Sequence, residues 1–431
     1  SMKKLLIAAT VVLVSSSPLV LLPMEKELAL TSKQVQKLTQ NTTASLSQFK
    51  QIPKNPRTIT NILTYKNKEL TEFKTSIQAD TKLSIFAIFW NAKGEPVFQL
   101  QDGDYVAASQ KSIVDDSIYN QKPVDMTFWT KDGLTVYKEP YVLGTEKVDS
   151  KLASFKPIKV SQAAQTHAGT YYLVDGEGWI NASDLSTTDN RIEAVQKVLN
   201  EKYNNQERIS VYVKQLDTDR VAAINDEKSM YAASVAKLGV LYYAQERLSQ
   251  KKLSLSDEYQ YTSAVNSFPG AYDPDGSGKI SKMPDDKNYS LENLLKAVAQ
   301  NSDNVATNIL GYYVTNQYDK AFQKSVDKAA AISWNMDKKE LTARAAGTLM
   351  EAVYRQNGDI INYLSSTDYD GERISKNIDV PVAHKIGDAY DFKHDVAIVY
   401  ADSPFILSIF TDKEGYDKIT SIADDVYGIL K

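Results

Sequence analysis

Hydrophobic residues in the second half of the chain repeat with two different periods, one helical and one extended. Within 191–199 the apolar residues recur every three to four positions, which predicts a helix with one buried face. Apolar and polar residues alternate on both sides of a turn in 209–224, which predicts a β-hairpin. Two later apolar runs, 396–400 and 405–410, are predicted as further strands. The pattern therefore predicts an α/β sandwich over 188–431, in which an antiparallel sheet is flanked by helices.

Residues 59–187 show a different pattern, in which short β-prone runs are separated by turn residues. Two Asp-Gly segments, at 102–109 and 175–183, resemble each other and indicate a duplicated unit of about 70 residues. We predict two small barrels of the bacterial SH3-like kind in this region. The pair Gly178-Trp179 resembles the GW modules that attach surface proteins to Gram-positive cell walls, which implies binding of a cell-wall polymer. A spacer whose aromatic residues fill small β cores explains the same pattern.

The first residues have the layout of a secretory signal or a membrane anchor. Lys3 and Lys4 precede an apolar stretch, 5–22, which is just long enough to cross a bilayer (about 18–20 residues). We expect 1–24 to direct the chain out of the cytoplasm, either as a cleaved signal or as an uncleaved anchor. The polar segment 25–58 is expected to be a linker that holds the folded part at the cell surface or wall. Membrane contact is expected only through the apolar stretch.

The composition excludes several classes of function. The 431 residues are 42% hydrophobic and 24% charged, which is typical of a globular protein with two or three domains. The net charge of −4 argues against a nucleic-acid partner, because binding phosphates needs a concentrated basic surface. The chain has no cysteine, which excludes thiol catalysis and disulfides. An EF-hand-like run starts at Asp273 but has Pro284 where a calcium loop needs Glu, so neither a metal nor a cofactor is expected.

Ser234 and Lys237 form a Ser-x-x-Lys motif where a helix is predicted to start. A serine hydroxyl becomes a strong nucleophile when a base takes its proton, and residues three apart share a helical face. Burial and nearby cations lower a lysine pKa enough for the amine to act as that base. The motif is weak evidence by itself because four other serines of the chain match it: Ser1, Ser47, Ser249 and Ser325.

Two further motifs follow, Ser-Asp-Asn at 302–304 and Lys-Ile-Gly at 385–387. Each has an ordinary explanation by itself, since Asp and Asn cap helices and a Lys before Gly is common at strand edges. Together and in this order, the three motifs resemble the signature of class A β-lactamases and penicillin-binding proteins. The flanking residues extend the resemblance over roughly 190–431, where a β-lactamase-like catalytic domain is therefore expected.

The resemblance implies a catalytic role for four motif residues. Ser234 would be the residue that is acylated, and Lys237 would be its base or the base's relay. Ser302 would pass a proton to the leaving nitrogen of the substrate. Lys385 would supply positive charge to the site and to the substrate carboxylate.

The resemblance also implies residues that bind the substrate. Asn304 would hold the amide side chain of the substrate. The backbone N–H groups of Ser234 and of Asp388, the residue after Gly387, would form the oxyanion hole, where the loss of one donor typically costs ~10²–10³ in rate. The substrates implied are β-lactams or the D-Ala-type stem peptides of peptidoglycan.

Two positions depart from the family pattern. Ile386 stands where the family usually has Thr or Ser, so one hydroxyl that would meet the substrate carboxylate is missing. A class A β-lactamase also needs a Glu-x-x-Leu-Asn loop, whose Glu activates the water that removes the acyl group. In this chain, the position as far after Ser302 as that Glu is in the family is Lys338. The nearest glutamate, Glu340, is two positions out of register. Efficient β-lactamase turnover is therefore not expected.

We interpret the chain as an extracytoplasmic serine hydrolase or acyltransferase that forms an acyl-enzyme. Two alternatives stay open at this point. One is a true class A β-lactamase, which hydrolyses β-lactam antibiotics and uses Glu340, or water held in another way, for deacylation. The other is a non-catalytic cell-wall scaffold that keeps the fold. A Ser-His-Asp triad is disfavoured because none of the three histidines, His167, His384 and His394, has a motif that marks it as the base for a serine.

Overall fold

The computed structural model describes most of the chain, namely residues 3–13, 20–30, 47–140, 146–204 and 206–431. It divides into two compact units, Ser1–Asn190 and Arg191–Lys431. The division falls close to the predicted boundary at residue 187.

The first unit begins with a β-hairpin. Strand β1 (Lys3–Leu13) pairs antiparallel with β2 (Val20–Leu30), and the two strands take up most of the apolar stretch 5–22. Among the described residues, no helix is both long and apolar enough to cross a membrane. Positions 1–2 and 14–19 of the predicted signal, and 31–46 of the predicted linker, lie outside the described residues. Export and anchoring stay predictions.

A first β module follows the linker. Its strands are β3 (Pro56–Thr58), β4 (Ile62–Tyr65), β5 (Phe73–Ile77), β6 (Ile85–Trp90), β7 (Pro96–Leu100), β8 (Tyr105–Ala107) and β9 (Ile113–Asp115). Five of them form an antiparallel sheet in the order β5-β4-β8-β7-β6, and β3 pairs with β9. The ring of Phe49 lies 5.3 Å from that of Phe98 in the core of this module. Part of the predicted linker 25–58 therefore belongs to the folded module.

A second β module has its own sheet. The strands are β10 (Asn120–Thr130), β11 (Pro157–Thr166), β12 (Gly169–Val174), β13 (Gly178–Asn181) and β14 (Leu185–Ser186), in the order β13-β12-β11-β10-β14. A Cβ on Gly178 would lie 2.7 Å from the carbonyl oxygen of Tyr137, and Trp179 is buried beside Tyr171. The Gly-Trp pair thus has a packing role here. Two separate five-stranded sheets occur where two modules are predicted, and their SH3-like character stays a prediction.

The second unit contains nine described strands: β15 (Ile209–Gln215), β16 (Val221–Ile224), β17 (Met230–Tyr231), β18 (Glu258–Gln260), β19 (Asn288–Ser290), β20 (Glu340–Leu341), β21 (Val382–Ala389), β22 (Phe392–Val399) and β23 (Phe405–Asp412). Five of them form one antiparallel sheet in the order β16-β15-β23-β22-β21, with β21 at an edge. The short strands β17 and β20 pair with each other, as do β18 and β19.

Helices cover both faces of this sheet. They are α1 (Arg191–Lys202), α2 (Leu238–Ser249), α3 (Leu291–Asn301), α4 (Asn304–Tyr313), α5 (Lys320–Ala330), α6 (Ala343–Gln356), α7 (Asp359–Tyr363) and α8 (Tyr416–Leu430). The side chains of β22 alternate between two cores, with Val396 and Ile398 facing α2 to α7 and with Ala397 and Val399 facing α1 and α8. The predicted α/β sandwich, an antiparallel sheet flanked by helices, is therefore confirmed.

Candidate active site

Ser234 lies in a short 3-10 turn, Ala233–Lys237, which connects β17 to α2. The backbone of Ala233 has a φ of +51°, in the left-handed region that costs a non-glycine residue about 1–3 kcal/mol. Ser234 is 8% exposed, whereas Lys237 is fully buried. The turn therefore holds a strained backbone next to a largely buried serine, and strained backbone is common at active sites.

The turn between α3 and α4 places Ser302 beside Lys237. Ser302 has a left-handed backbone (φ +53°), which ends α3 and directs the chain into α4. Asp303 caps α4, because its Oδ1 accepts a hydrogen bond from the N–H of Ala306 at 2.8 Å. The Ser-Asp-Asn motif therefore has two roles at once. Asp303 caps the helix, and its neighbours Ser302 and Asn304 contact Lys237.

Two glycines let a loop approach this turn closely. A Cβ on Gly276 would lie 2.2 Å from Nδ2 of Asn304, and one on Gly278 would lie 2.3 Å from the carboxylate of Asp303. Asp303 Oδ2 accepts a hydrogen bond from the N–H of Ile280 at 2.9 Å. The loop and the second motif therefore form one packed unit in which only glycine fits at these two positions.

The two lysines of the motifs meet at Ser302. The Nζ of Lys237 donates to the carbonyl oxygen of Ser302 and to Oδ1 of Asn304, both at 2.6 Å, and lies 3.3 Å from Oγ of Ser302. The Nζ of Lys385 donates to the same Oγ at 2.8 Å and to the carbonyl oxygen of Ile386 at 2.9 Å. The structure therefore brings Lys237, Ser302, Asn304 and Lys385 into one hydrogen-bonded cluster.

Burial of two neighbouring amines lowers the pKa of both. Removal from water is the largest cause for Lys237, whose pKa falls well below its usual value, and the charge of Lys385 is the next. Removal from water also lowers the pKa of Lys385, to about 7, with a contribution from the charge of Arg373. The cluster therefore holds fewer protons at neutral pH than two ordinary lysines would.

Gly387 brings the edge strand against the nucleophile turn. A Cβ on Gly387 would lie 2.6 Å from the carbonyl oxygen of Ala232 and 3.2 Å from the backbone nitrogen of Val235, so only glycine allows this approach. The carboxylate of Asp388 accepts a hydrogen bond from Nη2 of Arg373 at 3.0 Å. The strand edge that carries Gly387 and Asp388 thus borders the Ser234 turn, which is the arrangement the predicted oxyanion hole requires.

Asn304 and Ile386, which lie in the second and third motifs, also pack within the protein. Asn304 donates from Nδ2 to the carbonyl oxygen of Asp273 at 2.9 Å, while its Oδ1 accepts from Lys237. Ile386 is buried and brings no hydroxyl to the site. In the described part of the chain, no group of three or more His, Asp or Glu side chains is placed to hold a metal ion.

His384, next to the third motif, lies in a buried ionic cluster. Its Nε2 lies 2.8 Å from Oδ1 of Asp370, and its Nδ1 lies 3.0 Å from both carboxylate oxygens of Asp395. Burial by itself lowers the pKa of His384. The negative charges of Asp395 and Asp370, and the hydrogen bonds that they accept, outweigh the effect of burial and raise this pKa to about 9. His384 is therefore an imidazolium at neutral pH, and both of its N–H groups face carboxylates.

His394 and Arg373 support the backbone of the site. Nε2 of His394 donates to the carbonyl oxygen of Tyr231 at 2.7 Å, and its Nδ1 accepts from the N–H of Thr411 at 3.0 Å. Burial lowers the pKa of His394 to about 4. The guanidinium of Arg373 donates to the carbonyl oxygens of Gly387 and His394 at 2.9 and 2.8 Å. Neither role was predicted, because no motif in the sequence marks Arg373 or His394 for it.

The segment between α5 and α6 contains the glutamate considered for deacylation. Glu340 is exposed and lies opposite Tyr231 in the pairing of β17 with β20. Its neighbour Lys339 is buried instead, and the carbonyl oxygen of Lys339 accepts from the N–H of Ala232 at 2.7 Å. The chain runs directly into α6, which is capped by Thr342. This segment therefore presents a lysine, not a glutamate, to the interior.

The model of the β-lactamase enzyme family matches residues 190–430, more than half of the chain, and the chain therefore belongs to that family. At the family level it is a β-lactamase-like serine hydrolase. A domain of unknown function, DUF5776, matches residues 48–114. A comparison with curated proteins gives no match.

Several solved structures are similar to the second half of the chain. A structure of PBP-A is 14% identical, with 56% of this chain and 95% of that chain covered and a TM-score of 0.46. A β-lactamase from Sphaerobacter thermophilus is 16% identical, with 56% and 94% covered and a TM-score of 0.44. The TLA-3 extended-spectrum β-lactamase is 18% identical, with 56% and 99% covered and a TM-score of 0.46.

Proposed function

We propose that the domain over 191–431 forms an acyl-enzyme at Ser234 with β-lactams or with D-Ala-type peptides of peptidoglycan, and releases the acyl group slowly. The observation that carries this proposal is the contact of one hydroxyl, that of Ser302, with the amines of both Lys237 and Lys385. Such a cluster can move a proton from a nucleophile to a leaving group. We further propose that the protein works outside the cytoplasm and that its first 190 residues hold it at the cell wall.

Lys237 is suited to be the base because of its hydrogen bonds. A neutral amine has two N–H groups and one lone pair, whereas an ammonium has three N–H groups. The two strong contacts of Nζ, to the carbonyl oxygen of Ser302 and to Oδ1 of Asn304, use two N–H groups. The lone pair of the neutral form is then left beside the hydroxyl of Ser302, 3.3 Å away, and can accept a hydroxyl proton during the reaction. Burial and the charge of Lys385 favour this neutral form.

The acylation step follows from this arrangement. As Oγ of Ser234 attacks the carbonyl carbon, its proton goes to Nζ of Lys237, and the oxyanion is held by the backbone N–H groups of Ser234 and Asp388. The C–N bond of the substrate then breaks, and the hydroxyl of Ser302 gives its proton to the leaving nitrogen. Lys237, now an ammonium, restores that proton to Ser302, and Lys385 stabilises the negative charge that passes through Ser302.

Intact mass measured over minutes to hours after the addition of benzylpenicillin tests this proposal on the full chain. The mass should rise by one penicilloyl group and stay raised, and peptide mapping should locate the group on the peptide that contains Ser234. A transient adduct with accumulation of free penicilloate would show a true β-lactamase. The absence of an adduct with penicillin, a cephalosporin and a D-Ala-type ester would overturn the proposal in favour of a non-catalytic scaffold.

Replacement of Glu340 by Gln should leave the lifetime of the acyl adduct unchanged. The side chain is exposed, and its strand pairing fixes it at the surface, so it is not expected to activate water for deacylation. The measurement is the decay of the adduct mass in Glu340→Gln beside the unmodified chain. A lifetime longer by about a hundredfold or more in the variant, as expected for loss of a general base (~10²–10⁴), would instead assign deacylation to Glu340.

A further inference from the structure

Lys339 occupies a position that the proposed mechanism does not use. Its side chain is 5% exposed, and its backbone has a left-handed φ of +55°. The Nζ donates to the carbonyl oxygens of Met336 at 2.7 Å and of Gly270 at 3.0 Å. A buried ammonium is costly to desolvate, and a strained backbone adds to that cost. Such a group is expected to have a role beyond packing.

The ring of Tyr272 connects this ammonium to the base. Nζ of Lys339 lies 4.5 Å from the ring centre, and Nζ of Lys237 lies 4.7 Å from the centre of the same ring. The distance of Lys339 is typical of a cation–π contact, and Lys237 lies at a similar distance from the same ring. The hydroxyl of Tyr272 donates to the carbonyl oxygen of Ala233 at 3.3 Å, and the backbone N–H of Tyr272 donates to Oδ1 of Asn308 at 2.7 Å. The ring is therefore held in place beside the nucleophile turn.

The two nitrogens are at most about 9 Å apart, because each lies within 5 Å of one ring centre. With an effective dielectric constant of about 20, repulsion over this distance corresponds to a roughly tenfold change in protonation. The other charged groups that act on Lys237 are Lys385 and Lys282, which add to the repulsion, and Asp303, which opposes it. Burial lowers the pKa of Lys339, and the exposed carboxylate of Asp337 opposes this shift and stabilises the charge.

We propose that Lys339 is a positioning residue whose fixed positive charge keeps Lys237 in its neutral form and so speeds the acylation of Ser234 at neutral pH. This inference rests on the proposed function. The segment between α5 and α6 would then act in acylation. The glutamate that class A β-lactamases have in this segment acts in deacylation instead. Tyr272 is the spacer that sets the distance between the two amines.

The test is the pH dependence of acylation by benzylpenicillin in the full chain. Lys339→Gln keeps two N–H groups for the carbonyl oxygens but removes the charge. Its pH–rate midpoint should move up by about one pH unit, its rate below the midpoint should fall roughly tenfold, and its rate at high pH should be unchanged. Lys339→Arg, which keeps the charge, should keep the midpoint. The matched control is Lys338→Gln, an exposed neighbour with the same loss of charge, and its midpoint should not move.

An unchanged midpoint in Lys339→Gln, or an equal shift in Lys338→Gln, would overturn the inference. An equal fall in rate at every pH would overturn it as well, since it would show a structural role alone. Asp337→Asn, an exposed change, removes the carboxylate that stabilises the charge of Lys339 and should therefore raise the midpoint, which tests the same charge even if Lys339→Gln does not fold. If the unmodified chain forms no adduct, the proposed function fails. The titration of Lys237 in ¹³Cε-lysine-labelled protein, assigned with Lys237→Met, then decides the inference by itself.

Discussion

A Lys237→Met variant is expected to acylate about 10²–10⁴ times more slowly than the unmodified chain. Methionine fills a similar volume but has no lone pair on nitrogen, so the hydroxyl of Ser234 loses its proton acceptor. The amine also holds Ser302 and Asn304 through two hydrogen bonds of 2.6 Å. The measurement is the rate of penicilloyl adduct formation by intact mass. In the unmodified chain this rate should rise with pH, with a midpoint well below the usual lysine pKa, because the neutral amine is the active form.

Two companion variants make this result decisive. Ser234→Ala should show no adduct, which sets the zero of the measurement. Lys338→Met removes an exposed lysine from the same unit and should acylate at the unmodified rate. If Lys237→Met retained more than a tenth of the unmodified rate while Ser234→Ala showed none, another group would be the base. Lys385, whose pKa falls to about 7, would then be tested next by Lys385→Met.

The parts of the site that the sequence revealed are those with a local signature. The three motifs have fixed spacing and order, and the sandwich has strands whose apolar residues alternate, as in β22, where neighbouring side chains enter different cores. Helix starts are also local, since Asp303 caps the helix that follows it. Together these signals place the four catalytic candidates, but their roles stay predictions until the acylation experiments are done.

The parts that the sequence did not reveal depend on contacts between distant positions. Lys339 meets the carbonyl oxygen of Gly270, 69 positions away, and no pattern around Lys339 distinguishes it from Lys338. The sequence did show that this segment lacks the glutamate of class A β-lactamases. Only the structure shows that a buried lysine lies there, in contact with the ring of Tyr272. His384 was considered only as a possible base for a serine, because nothing in the sequence indicates that two carboxylates surround it.

The two buried histidines of the catalytic sheet give the largest expected effects on stability, and in opposite pH ranges. His384 has a folded pKa of about 9, above its unfolded value of about 6.5, so its contribution is complete below about pH 6.5 and is lost as the pH rises through about 9. His394 has a folded pKa of about 4, so the folded state loses stability as the pH falls from about 6.5 to about 4. Each of these pKa shifts corresponds to a change of about 3 kcal/mol in the free energy of unfolding.

His384→Asn should therefore lower the free energy of unfolding by about 3–5 kcal/mol near neutral pH, because Asp395 is left buried without its cationic partner. It should also flatten the alkaline fall in stability. His394→Asn, the same substitution in the neighbouring strand, should leave that alkaline fall intact and flatten the acid one. Hydrogen exchange of peptides from β21 to β23, corrected for the intrinsic rate at each pH, measures both. An alkaline fall that persists in His384→Asn would show that the imidazolium between Asp370 and Asp395 does not stabilise this fold.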